Sequence, residues 1–113
     1  MLPTSLSTDK RLVRHTLAGR PEAFNVLVER HIHLVQALAY AQTGNYADAQ
    51  DATQETFIKA YQALDTLREP AKFAAWLSTI ARRVCWEFKR DAHRRRNREQ
   101  AAHDEERVTT ADM

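Results

Sequence analysis

The chain has 113 residues with 43% hydrophobic side chains, one domain's worth and enough for a single core of three or four helices. Its single cysteine, Cys85, excludes an internal disulfide and fits a reducing cytoplasm, and no apolar run reaches the length of a membrane span or of a signal-peptide core. The formal charge of +2 hides an asymmetry: residues 1–81 are net zero, residues 82–98 carry +6 and residues 99–113 carry −4, so the cationic segment favours a polyanionic partner.

Valine, isoleucine and threonine never alternate with polar residues over a strand's length, which makes the fold class all-α, a compact bundle of about four helices. Ser7 or Thr8 can cap a short first helix that runs to Ala18 and stops at Gly19. A second helix spans about residues 21–43, with Pro21 in its first turn and Gly44 at its end. Phe24, Leu27, Val28, Leu34, Val35 and Leu38 form its buried side, and His31 beside them reads as a satisfied core residue. The third helix covers about residues 46–64, and residues 65–70 form a loop because the residue before Pro70 is pushed out of helical geometry. The fourth runs from about residue 71 to 93, at most to 98. Residues 1–97 therefore make the folded domain, and the polar residues 98–113 read as a frayed tail or the start of a linker.

The third helix buries Ala49, Thr53, Thr56, Phe57, Ala60, Tyr61 and Leu64. Its other side carries Asp51, Glu55 and Gln62, flanked by Asp48 and Gln54, with Ile58 in the middle. One apolar residue ringed by carboxylates and amides suits an anchor within a polar protein interface; a solvated face with a stray isoleucine is the plain alternative.

On the fourth helix, Phe73, Trp76, Leu77, Ile80, Ala81, Val84 and Phe88 recur at core-facing spacing. At about 100° per residue, Trp86 projects nearly opposite that stripe. Arg82 and Arg83 lie one turn before it, Lys89 and Arg90 one turn after. An indole among cations can stack on a nucleobase while the cations hold phosphates, or it can pack on its own chain beside a solvated basic face.

Catalysis finds little support. The five histidines do not cluster, the paired carboxylates sit on an exposed face where nothing raises a pKa, and no glycine-rich phosphate loop, HExxH or CxxC occurs. No cofactor, metal or catalytic residue is expected. Cys85, at the edge of the apolar stripe, reads as a small core residue. An adaptor joining a protein machine to nucleic acid fits the two faces; a purely protein-binding domain or a duplex-binding regulator stays open. The long fourth helix without an internal turn speaks against the latter.

The run DAQDATQETF at residues 48–57, followed by Ala60 and Tyr61, resembles the second conserved region of bacterial sigma factors of the extracytoplasmic-function (ECF) group. KFAAWLSTIAR at residues 72–82 resembles that group's F-x-x-W-L-x-x-I-A-R signature, and Arg90 and Arg94 to Arg96 match its basic end. The resemblance covers about residues 20–97. It implies a cytoplasmic module, monomeric when free, that binds core RNA polymerase and opens promoter DNA at the −10 element. Asp51, Gln54 and Glu55 then fall on positions that contact the polymerase β′ clamp, the face that also holds Asp48, Ile58 and Gln62. The loop with Asp65, Thr66, Leu67, Arg68 and Lys72 corresponds to the segment receiving a base flipped from the non-template strand. Thr79, Arg82 and Arg83 fall on the rest of the −10 reading surface, to which the helix geometry adds Trp86, Lys89 and Arg90. An anti-sigma factor covering the third helix is a further implied partner.

Two residues depart from the pattern. Arg83 stands where the group has Asn, and Arg favours guanine edges or phosphate. Trp86 stands where an aliphatic residue is usual. Full-length members also carry a helix-turn-helix domain, region four, that reads the −35 element. Nothing after Asn97 is expected to form it, so the chain reads as a fragment ending in the interdomain linker, with a short protein of altered function as the alternative.

Overall fold

The computed structural model describes residues 7–111, with side chains as far as Asp104, so residues 1–6 and 112–113 of the two expected segments lie outside the described residues. Helix α1 (Asp9–Leu17) opens on Thr8, whose hydroxyl oxygen accepts the Arg11 N–H at 3.2 Å. Helix α2 (Glu22–Thr43) follows Pro21, whose fixed φ of −63° already suits a helix. It ends at Gly44 in the left-handed region at φ +66°, the Gly44 N–H closing the last turn on the Tyr40 carbonyl at 2.8 Å. Helix α3 (Tyr46–Gln62) is capped by the Asn45 side chain, which accepts the Asp48 N–H at 3.0 Å. Two 3₁₀ turns, Leu64–Thr66 and Pro70–Lys72, fill the stretch expected to be loop, and α4 (Phe73–Ala111) completes the chain.

Helices α2, α3 and α4 pack pairwise against one another, and α1 lies across α2 and rests on both 3₁₀ turns. The core takes Leu12 and Val13 from α1, Phe24 and Leu27 from α2, Phe57 from α3, Leu64 from the first turn, and Phe73 and Leu77 from α4. Phe73 is wholly buried, with the rings of Phe24, His31 and Trp76 around it. Alanines 49, 52 and 60 keep the inner side of α3 narrow, so its backbone approaches its neighbours closely. The buried hydroxyls of Thr53 and Thr56 donate within α3 to the carbonyls of Ala49 and Ala52, so both are satisfied.

Three expectations need correction. Leu34, assigned to the buried side of α2, is 58% exposed, because no neighbouring helix covers that flank. Tyr61, assigned to the α3 stripe, is 50% exposed and packs only edge-on against Phe24, ring centroids 5.1 Å apart. Ala52 takes up the buried arc instead. Finally, α4 does not stop between residues 93 and 98 but runs on to Ala111. No Gly or Pro interrupts residues 71–111, and Gln100 reaches Asp104 one turn ahead at 3.1 Å, so helix propensity and local side-chain pairs carry it without a buried face.

Candidate nucleic-acid interface

The loop between α3 and α4 is held at both ends and open in the middle. Leu64 is buried and Leu67 packs on the core, while Asp65, Thr66 and Arg68 face solvent. Thr66 donates its hydroxyl to the Ala63 carbonyl at 2.6 Å, which tightens the first turn. Lys72 and Glu69 pair across the second at 3.2 Å, both well exposed. A solvent-facing stretch on two rigid anchors is open to a partner.

Behind this loop, the end of α3 and the start of α4 enclose a groove of about 530 Å³, walled by Gln62, Trp76, Thr79, Ile80, Arg83 and Glu87. Lys59 bridges its far side, 3.2 Å from the Glu87 carboxylate on α4 and 3.9 Å from Glu55 on its own helix. Thr79 and Arg83 thus share a groove, whereas Arg82 points to solvent. Trp76, which periodicity assigned to the core, is half-buried and serves as the apolar wall.

Trp86 is 58% exposed, on the outer side of α4 as expected. Of the four cations around it in sequence, Arg90 lies over the ring, its guanidinium carbon 4.8 Å from the centroid. Arg83 turns to the groove, and Lys89 reaches the Gln42 side-chain oxygen at 3.4 Å, at the end of α2. The cations therefore line the length of α4 and do not converge on the indole.

The six outward residues of α3 also divide. Asp51, Gln54, Ile58 and Gln62 border a shallow groove against α2, floored by Phe24, Val28 and Phe57. Ile58 is 50% exposed there. Glu55 leans to Lys59. Asp48 lies away from them, in a cleft with Lys89, Arg95 and Arg96 of α4. Among the described residues no group of three or more His, Cys, Asp or Glu side chains could hold a metal ion, and no helix is long and apolar enough to cross a membrane. Cys85 is buried; desolvation pushes its thiol above the ordinary range, partly opposed by the Lys89 charge.

Residues 27–98 match the family model for sigma-70 region 2. The chain belongs to the sigma-70 family. This region 2 domain is 45% identical over 76 residues to the ECF RNA polymerase sigma-E factors of Salmonella typhimurium LT2 and Escherichia coli K12, covering 66% of the chain and 38% of each relative. It is 38% identical over 73 residues to the RNA polymerase sigma-H factor of Pseudomonas aeruginosa, again covering 38% of that protein. The domain is of the ECF type, and it spans under two fifths of the length of these relatives. Its fold matches the NMR structure of an engineered region 2 of sigmaE in complex with GTAAAA, with a TM-score of 0.74 and 36% identity, over 82% of this chain and 97% of that one.

In this region 2 domain the sequence motifs found the helices that carry the candidate residues, but not the groove between them. Lys59 and Glu87 are 28 positions apart, and no local spacing signals their bridge. The apolar signal of Trp76 is the same for a core residue and a groove wall, and the ring is both, packed on Phe73 and lining the groove.

Proposed function

We propose that this chain is a transcription-initiation module that binds core RNA polymerase through α3 and engages the melted non-template strand of the promoter −10 element through the 65–72 loop and the first turns of α4. The observation that carries the reading is the likeness, at 36% identity over 82% of the chain, to a region 2 solved in complex with GTAAAA. The geometry supports it: the loop is open between rigid anchors, and the adjoining groove offers an aromatic wall, a hydroxyl and a guanidinium, the donors and stacking surface an unpaired base requires. Opening a base step costs about a few kcal/mol, least at pyrimidine–purine and A·T-rich steps, and binding of the separated strand offsets it. The work is binding, not catalysis, and its setting is the cytoplasm, where polymerase acts.

The docking surface on polymerase is the β′ clamp, met by Asp51, Gln54, Glu55, Ile58 and Gln62. Asp48, displaced toward the basic end of α4, contributes less. An anti-sigma factor would compete for the same face. Binding of the chain to core polymerase, with Glu55→Lys and Ile58→Asp beside the wild type, tests the assignment. Saturable binding lost in both variants supports it. Absence of binding by the folded wild-type chain overturns it.

A further inference from the structure

Two intrahelical ion pairs are offered by spacing around the α3–α4 groove. Glu55 and Lys59 stand one turn apart on α3, and Arg83 and Glu87 one turn apart on α4. The packing makes neither of them well. The Lys59 ammonium lies 3.9 Å from Glu55, too far for a hydrogen bond, and donates instead to the Glu87 carboxylate across the groove at 3.2 Å. Among the described residues no ion pair joins Glu87 to Arg83, although both line that groove. One bond between helices has replaced two within them.

The exchange matters for what Arg83 can do. A guanidinium in a bidentate pair with a carboxylate uses the two-pronged edge that would otherwise meet O6 and N7 of a guanine. Pairing with Glu87 and reading a base are therefore mutually exclusive for that edge. With Glu87 drawn to the α3 side, the edge stays available.

We propose that Lys59 is a positioning residue for Arg83: it holds the Glu87 carboxylate away and so keeps the guanidinium open to a base. Selectivity at one position of the strand then depends on a side chain of the neighbouring helix. The inference deepens the single-strand reading given above and rests on it.

Competition for the full chain among GTAAAA hexamers changed one base at a time, at low salt, tests the role. Low salt is needed because Lys59 and Glu87 are both partly exposed and ions screen their attraction. Arg83→Lys marks the position at which the guanidinium sets a preference between bases. Lys59→Met should reduce that preference by about fivefold, the lower end of what one bidentate contact discriminates. Adding Glu87→Gln to Lys59→Met removes the competing carboxylate and should restore it, and Lys59→Arg alone should keep it. The Arg83 Nε–H resonance reads the same competition without DNA. It should move in Lys59→Met and return in the double variant, with urea unfolding confirming that each variant is folded.

An unchanged preference in Lys59→Met overturns the proposal. So does a loss that Glu87→Gln leaves uncorrected, which would make the bridge a brace between helices. A uniform loss across all hexamers would make Lys59 a phosphate contact and overturn it too. Hexamers that bind with no preference sensitive to Arg83 have the same force. In all four cases binding by the wild-type chain leaves the single-strand reading standing. Failure of the folded wild type to bind any hexamer overturns that reading. The resonance then decides alone: movement and return retain Lys59 as the residue that positions Arg83, and no movement overturns it.

Discussion

The guanidinium of Arg90 lies over the indole of Trp86, 4.8 Å from the ring centroid, one helical turn further along α4. An arginine in that position covers part of an aromatic surface that would otherwise face water, and it takes the place over the ring that a stacked base would need. The pair is therefore poised for one of two states, guanidinium on ring or base on ring.

If a base displaces Arg90, Trp86→Ala weakens single-strand binding by about 1–3 kcal/mol, the range for base–aromatic stacking. Stability should hardly change, since the side chain is 58% exposed and loses one exposed cation–π contact of about 0.5–1 kcal/mol. In a Trp76→Phe background, where Trp86 is the one remaining tryptophan, its fluorescence should be quenched by added strand. Unchanged affinity and unchanged emission would assign the indole a packing role alone.

Arg83, which the resemblance sets against an Asn of the ECF signature, lines the same groove as Gln62, Thr79 and Glu87. A guanidinium only donates, whereas an amide also accepts, so the two side chains cannot read the same base edge. Arg83→Asn should shift the preference between guanine and adenine at one position of the hexamer by about 1–3 kcal/mol. Competition among hexamers changed one base at a time measures it. A uniform loss across all of them would make Arg83 a phosphate contact and end the base-reading assignment.

What could be read from sequence follows from what local spacing encodes. The cap at Ser7 or Thr8, which is Thr8, and the stop at Gly44 were legible because caps act within one turn, whereas the Asn45 cap of α3 was read only as the end of α2. His31 was legible as a satisfied core group, although its partner Asp9, 22 positions away, was not. Leu34 and Tyr61 show the limit: periodicity gives the direction of a buried arc, but its width depends on which helices close over it. The extension of α4 to Ala111 shows another, since loss of an apolar face does not end a helix in a stretch without Gly or Pro. The α3–α4 groove is a product of packing.

Asp9 is the fastening of α1. One carboxylate oxygen accepts from Arg30 at 2.8 Å, the other from the Nε2–H of His31 at 2.9 Å, and the imidazole is buried. A helix of nine residues does not hold alone in water, so its order depends on this fastening and on Leu12 and Val13. Asp9→Ala leaves a buried ring nitrogen without its acceptor and should cost about 1–3 kcal/mol in urea unfolding. Amide exchange in α1 should accelerate more than in α3. Lys10→Ala, at the neighbouring exposed position, should stay within about 0.5 kcal/mol of wild type. Equal behaviour of the two variants would remove Asp9 from this role.

Cys85 packs among Ala39, Ala49, Ala52 and Val84, where α2, α3 and α4 meet. Burial disfavours the thiolate and raises its pKa, and the Lys89 charge recovers only part of the shift. The thiolate is the nucleophile, so iodoacetamide at mildly alkaline pH should leave the native chain unlabelled and label it once urea has unfolded it. The sign for stability follows from the same shift. Below the ordinary thiol pKa both states are protonated and the group contributes nothing. As pH rises past that value the unfolded chain ionises first, so stability falls until the folded thiol ionises too. Cys85→Ala should remove that part of the alkaline loss while costing some packing at neutral pH. Rapid labelling of the native chain would mean that the three-helix junction opens far more readily than its packing implies.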